Sequence, residues 1–540
     1  MNAARLLRQC VQQARRFALL MSVGFAIAAP QASAEEHYGK VHFPIACQGA
    51  VQKDFDLALA MLHTFSFPAA AKTFMAVAQK DPDCAMAHWG IAATAVGSLY
   101  GGRPGPMALQ GEQAIEQAKI IGGKTARERD YIATLEAFYK DAAKLDYATR
   151  VRAYAAALKQ LHRKYPEDRE AEIFYAYALS ALGTPTDQTF AHQLKSAAIL
   201  EKLYAELPDH PGVIHYLLHA YDTPHATRGL TAALRLAKMA PSSPHALQFG
   251  AHIFVRMGLW QESIETNRTG AAVDDLFFRP HAMDFLVHSY LQTGQAVAAA
   301  RIIQEVATLK MVPHILDAYA VAAMPARYAI ERRRWDEAAA LVLPQQDKFA
   351  WQEFPHAEAA LVFARALGAA RNGDSDGATK DLDRLRELRA SLIKSNSEGS
   401  WQDYWVSKLA NDGQIVAAWI AYKQGKRERA LHMLTAAADL EDATEWDPVM
   451  PGHIASARQL LGEMLLDAKK PGSALQAFEA ALKREPSRFW SLNGAGRAAE
   501  LSGDRAKAAA YYAMLVGQSV SADIEQYTAL TAARAFLEKE

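Results

Sequence analysis

Imidazole side chains recur at helical spacing in the middle of this 540-residue chain. His215 and His219 stand four residues apart, while His245 and His252, and again His281 and His288, stand seven apart. On an α-helix each pair shares one face. Asp222, Gln248 and Asp284 fall near the same faces, and His210 and His314 flank the set. Neutral imidazole is a ligand for zinc, copper or nickel, so His215, His219 and His252 are candidate metal ligands, with Asp222 or Asp284 available to complete a site. The same side chains also suit a polar groove that hydrogen-bonds an extended peptide, or ordinary packing between helices. His63, His88, His162, His192, His356, His432 and His453 are scattered and read as structural or surface residues.

No complete catalytic motif accompanies the histidines. His215-Tyr-Leu-Leu-His219 has the spacing of a zinc-protease pair but lacks the glutamate that follows the first histidine. Gly123-Lys-Thr125 resembles the end of a phosphate loop, yet Ala118 stands where its first glycine belongs. No Gly-x-Ser-x-Gly elbow is present. The expectation is a protein that is not an enzyme, with a metal-dependent hydrolase or oxidase as the alternative.

The elements that must position these residues are repeated helical hairpins. A unit starting at Ala455 places Leu461, Gly462, Leu465, Ala474, Phe478, Ala481 and Pro486 on the signature positions of a tetratricopeptide repeat. The next unit supplies Gly496, Ala499, Gly503, Ala508, Tyr512 and Leu515, and Ala58, Met61, Ala70, Phe74, Val77 and Pro82 fit near the beginning. Degenerate copies follow Leu217, Leu218 and Tyr221, Gly258 to Ser263, Leu286 to Ala299, and Arg333 to Ala338. Residues 126–165, 166–208 and 403–440 read as further helical pairs. Short helices are marginal alone, so neighbouring repeats must stabilise one another. The fold expected is all-α: a right-handed superhelical solenoid of such hairpins. With units starting at Pro211, Pro244 and Pro280, the histidines take the second, fifth and ninth positions, away from the packing face and towards the concave side.

Residues 1–34 are different in kind. Arg5, Arg8, Arg15 and Arg16 precede an apolar run, Phe17 to Ala29, and Ala32-Ser-Ala34, the order of a cleaved secretory signal. Two solenoid blocks are expected after it, 35–345 and 346–540, with a joint at residues 343–355 and loops at Gly101–Pro106 and Glu441–Pro451. The chain has 59 basic and 59 acidic residues; without the four leader arginines it carries a net charge of −4. A mixed, mildly acidic surface predicts no nucleic-acid partner and no anionic-membrane patch. No later run is long enough for a membrane anchor. Cys10 leaves with the leader, so Cys47 and Cys84 form an even pair in an oxidising compartment, and each begins a repeat's first helix. A disulfide is expected between them, worth roughly 3–4 kcal/mol. Asn267-Arg-Thr269 matches a glycosylation sequon.

Val41-His-Phe-Pro-Ile-Ala-Cys47, Cys84-Ala-Met-Ala-His-Trp-Gly-Ile-Ala92, His210-Pro-Gly-Val-Ile-His-Tyr-Leu-Leu-His-Ala-Tyr-Asp222 and Ala240-Pro-Ser-Ser-Pro-His-Ala-Leu247 resemble segments of an exported bacterial tetratricopeptide-repeat family. Glu485-Pro-Ser-Arg-Phe and Gly494-Ala-Gly-Arg-Ala-Ala-Glu500 extend the resemblance to nearly the whole chain after the leader. The family carries no settled activity. Where its members resemble His-Ala-Leu-His-Met-Pro-Ser-His, this chain has Gln248 and Phe249 in place of a potential ligand pair. The functional expectation is a periplasmic or secreted scaffold that binds a protein or peptide segment in a concave groove. That groove is lined by His215, His219, Asp222, His245, Gln248, His252, His281, Asp284 and His288; the alternative is a zinc- or copper-binding protein using the same histidines.

Overall fold

Runs of Ala, Leu and aromatic residues at helical spacing, broken by short Gly, Pro and Asp turns, give twenty-five α-helices and no strand among the described residues. The structure is a computed structural model that describes residues 37–101, 107–273, 278–310, 314–345, 347–394 and 400–539. The expected leader and most of the Gly101–Pro106 loop lie outside these residues.

Successive helices pair as hairpins. The first are α1 (Gln52–His63) with α2 (Phe67–Lys80), α3 (Ala85–Val96) with α4 (Ala108–Ile121), and α5 (Ala126–Tyr139) with α6 (Tyr147–Lys164). Next come α7 (Arg169–Ser180) with α8 (Ala191–Glu206), α9 (Pro211–Tyr221) with α10 (Leu230–Met239), and α11 (Pro244–Met257) with α12 (Trp260–Ala271). Then follow α13 (Arg279–Gln292) with α14 (Ala296–Thr308), α15 (Ile315–Glu331) with α16 (Trp335–Ala339), and α17 (Pro355–Asn372) with α18 (Ser375–Lys394). The last pairs are α19 (Ser400–Lys423) with α20 (Arg427–Asp442), α21 (Ala457–Asp467) with α22 (Pro471–Arg484), and α23 (Phe489–Leu501) with α24 (Arg505–Gln518); α25 (Thr528–Leu537) closes the stack. The expected helical pairs at 126–165, 166–208 and 403–440 are α5–α6, α7–α8 and α19–α20.

The packing follows the repeat signature. The Phe478 ring of α22 is fully buried between Gly462 of α21 and Gly494 of α23, at positions where any Cβ would overlap the ring. The small residues of these two first helices thus admit the large one of the second helix between them, and Gly90 of α3 does the same for Phe74 of α2. The hydrophobic core runs along the stack, one stretch from Tyr38 to Phe254 and the next from Ile264 to Ala477.

Phe349, Trp351 and Phe354 are buried in the same core stretch as Ala318–Ile330 before them and Ala357–Ala370 after them. The joint expected at 343–355, dividing blocks 35–345 and 346–540, therefore does not coincide with a gap in the packing. Apolar aromatics fill the irregular segment, and residues 37–540 form one compact unit. Cys47 and Cys84 are disulfide-bonded, with their Cα atoms 5.1 Å apart. The bond holds the extended segment 37–47 beside the helices, where Lys40 N–H donates to the Asp209 carbonyl at 3.0 Å. Asn267 of the sequon is fully buried and donates to the Ser263 carbonyl, so it offers no accessible acceptor. Among the described residues no helix is long and apolar enough to cross a membrane.

Candidate metal centre

Three first helices, α9, α11 and α13, carry the histidines. Pro211, Pro244 and Pro280 stand in their first turns, where a missing N–H costs no hydrogen bond. Ser243 caps α11 by accepting from the Ala246 amide at 3.2 Å, and its hydroxyl donates to the Thr64 carbonyl at 3.0 Å. This pins the start of α11 to the α1–α2 turn. Gly258 ends α11 with φ +67°, a left-handed conformation that favours glycine.

Three imidazoles converge between α9 and α11. His215 Nε2 lies 3.1 Å from His219 Nε2 and 3.0 Å from His245 Nε2. His215 Nδ1 lies 2.6 Å from the backbone carbonyl of His63. A carbonyl only accepts, so Nδ1 carries the proton and Nε2 turns a lone pair towards the other two rings. One lone pair accepts one full hydrogen bond, yet two nitrogens crowd it. No placement of protons satisfies both contacts. A cation bound at about 2.0–2.1 Å from each nitrogen would satisfy all three, and tetrahedral ligation then sets the nitrogens about 3.3 Å apart. The two spacings from His215 Nε2 fall within a few tenths of an ångström of that, and all three ligand atoms lie within 4.8 Å of one another.

The surroundings keep these rings neutral. Ring centroids of Phe65 and His215 lie 4.4 Å apart, Tyr100 and His219 4.1 Å, Phe249 and His219 4.0 Å, and Phe278 and His245 4.5 Å. Burial among them pushes His215 down to about 3, and burial with neighbouring imidazoles holds His219 and His245 well below the ordinary value. Neutral rings bind cations without first losing protons. Behind His215, the His63 ring reaches Glu170 at 3.0 Å and the Tyr216 hydroxyl at 3.0 Å. His210 Nε2 meets the other Glu170 oxygen at 2.7 Å. Burial would lift the Glu170 carboxyl, but His210 and His63 outweigh it and hold it below the usual carboxylate range. Such an outer layer orients metal-ligating histidines.

His252 does not belong to this cluster. It lies two turns along α11 from His245, roughly 10 Å of helix. Its Nδ1 is 3.0 Å from Asp222 Oδ2 and its Nε2 is 3.3 Å from His281 Nε2. The expected trio His215, His219 and His252 is therefore corrected to His215, His219 and His245. Neither aspartate completes it: Asp222 also accepts from Arg256, and Asp284 accepts from Arg327 at 3.1 Å. His288 stands against Trp260 further along the row, ring centroids 5.5 Å apart.

The open groove is corrected as well. Of the nine groove residues only His219 is half-buried; His215, Asp222, His245, Gln248, His252, His281, Asp284 and His288 are buried. Phe65, Tyr100, Phe249 and Phe278 enclose His215, His219 and His245, and the chain's own later segments cover the far end of the row. Arg256 Nη1 donates to Glu445, 189 residues away, at 2.6 Å, and its guanidinium stacks 4.0 Å from the Trp446 ring centre. Trp260 Nε1 donates to the Ser487 carbonyl at 3.0 Å, Arg327 to the His453 carbonyl at 3.3 Å, and the Phe489 amide to Gln292 Oε1 at 2.9 Å. Repeat register sets which way a side chain points within its own helix, and carries no information about what folds over it.

Two other groups of potential ligands occur among the described residues. In one, Cys47 and Cys84 are engaged by the disulfide and Asp81 accepts from the Gln48 amide at 2.7 Å; in the other, His63 and His210 are engaged by Glu170. Of the supporting residues, Phe65, Tyr100 and Glu170 carry no local motif. His63 passes for a scattered histidine because its partners lie 107 and 153 residues away.

No protein-family model matches the chain, and no curated protein matches it. Among solved structures it is similar to the human IFIT1 dimer with m7Gppp-AAAA, at 15% identity over 89% of this chain and 92% of that one, with a TM-score of 0.36. It is also similar to a signal-transduction ATPase with a tetratricopeptide-repeat sensor from Pyrococcus horikoshii, at 12% identity and a TM-score of 0.30, covering 82% of this chain and 60% of that one. At this identity and score neither likeness says what this chain binds. The chain is an all-helical, tetratricopeptide-like stack of hairpins with a cluster of histidines enclosed in it.

Proposed function

We propose that this is a metal-binding helical-repeat protein, in which His215, His219 and His245 hold one ion of the zinc, copper or nickel class. The observation that carries the reading is the crowding of two imidazole nitrogens on the single lone pair of His215 Nε2. Three neutral nitrogens leave further coordination positions for water or substrate, as catalytic zinc sites do. No acid–base residue is assigned, so the reading stops at binding. A periplasmic or secreted location belongs to the same proposal, supported by the leader-like first 34 residues and by the Cys47–Cys84 disulfide. A peptide ligand for the His252–His288 end of this face would first have to displace the segment around Glu445–His453, which counts against an open groove there. The exclusion of nucleic acid rests on surface charge alone.

Elemental analysis of the full chain purified without a histidine tag tests this. At least about one equivalent of zinc, copper or nickel is expected, with affinity falling by about 100-fold or more in His215→Ala, as for loss of a metal ligand. Metal below about a tenth of an equivalent, with no uptake on titration, would end the proposal.

A further inference from the structure

The three converging imidazoles come from fixed places in the repeat. His215 and His219 hold the fifth and ninth positions of one first helix, and His245 the second position of the next. Moving one hairpin along the stack, the same places hold Gln248 and His252 on α11 and His281 on α13. The aromatic wall repeats with them. Phe249 touches His219 and His245 with ring centroids 4.0 and 4.8 Å away, and Phe285 touches His252 and His281 at 4.6 and 4.8 Å.

The second set has the marks of a ligand group. His252 Nε2 and His281 Nε2 face each other at 3.3 Å, both rings buried. Asp222 accepts from His252 Nδ1 at 3.0 Å, which assigns the proton there and leaves the Nε2 lone pair towards His281. Gln248 is fully buried, and neither its amide oxygen nor its nitrogen has a hydrogen-bond partner. A buried amide with nothing to bond costs free energy unless something else uses it. It stands one turn before His252 on the same face of α11.

We propose that Gln248, His252 and His281 form a second cation position, the repeat image of the first, taking the same class of zinc, copper or nickel ion more weakly because an amide oxygen replaces an imidazole. This inference rests on the metal reading of the first cluster. Arg256, held by Asp222 and Glu445, then ties the covering segment to the orienting partner of His252.

Zinc titration of the full-length, metal-stripped chain tests the proposal by counting equivalents. The wild-type chain is expected to take two, the second about tenfold or more weaker than the first, the scale on which ligand and outer-layer changes act. His281→Ala should keep only the tight equivalent and His215→Ala only the weak one. Gln248→His should keep both and tighten the weak one by about tenfold or more. If the alanine variant at 281 loses the tight equivalent by unfolding, which circular dichroism would show, His281→Gln takes its place. A single equivalent in the wild-type chain, abolished by His215→Ala, overturns the second position and leaves the first standing, whatever Gln248→His does. No uptake at all removes both.

Discussion

Two stretches of the same inner face share one register and solve the burial of polar groups in opposite ways. In the repeat that starts at Ala455, Ser456, Gln459 and Glu463 hold the positions that histidines hold in the middle of the chain. Glu463 pairs with Arg333 and, at 2.9 Å, with Arg371. Gln459 donates to Glu463 at 3.3 Å and accepts from the Ser491 hydroxyl at 3.1 Å. Every charge there meets its opposite. In α9, α11 and α13 most of the same places carry imidazoles: one lone pair is crowded by two nitrogens, and His245 Nδ1 and the Gln248 amide have no partner. A buried polar face is therefore not by itself a binding site. What separates the two stretches is whether the side chains complete one another.

The largest effect expected is on the architecture that both stretches share. Phe478→Ala should cost about 3–5 kcal/mol, because the ring fills a space that Gly462 and Gly494 leave for it. Urea unfolding measures this; a loss under about 1 kcal/mol would mean that the glycine-against-ring packing does not hold the stack. The next effect separates the stretches. Glu463→Gln leaves Arg333 and Arg371 without their counter-charge and should cost about 1–3 kcal/mol. His219→Asn in the metal-free protein should cost less, about 1 kcal/mol, since the half-buried ring gives up one shared nitrogen contact and its stacking on Tyr100 and Phe249, while metal uptake at the first position is lost. Equal costs for the two substitutions would erase the distinction between a structural set and a binding set.

The hairpins were legible because each signature residue packs within its own repeat or the next: Leu461, Ala474, Phe478 and Ala481 are buried together in one local unit. The same short-range logic put His215, His219 and Asp222 on one face of one helix. It failed where the deciding contact is distant in sequence. Choosing His245 over His252 requires knowing that the second position of α11 swings towards α9 while the ninth turns on to α13. Glu445, Trp446 and Ser487, which seal the face, come from a loop and a turn with no periodic signal of their own. Glu441–Pro451 was readable as a loop from its Asp and Pro content, but its resting place was not. Apolar residues at 349–354 looked like a joint because the helical period stops there, whereas packing continues without it.

A last expected effect sharpens the comparison through pH. His288 is buried beside Arg327, Arg488, Glu485 and His453. Burial first, then the two arginines, hold its pKa well below the ordinary imidazole value. In the unfolded chain this ring takes a proton near pH 6.5, whereas in the folded chain it does not. Below that pH the unfolded state binds more protons, so the contribution to stability is complete above about pH 6.5 and drains away on acidification. His288→Gln removes the titrating group. The wild-type chain should therefore lose about 1.4 kcal/mol more than this variant between about pH 7.5 and 5.5, read from urea midpoints at the two pH values. Parallel losses in wild type and His288→Gln would mean that His288 takes up its proton in the folded chain as readily as in water, and the inner face at α13 would then be open to solvent.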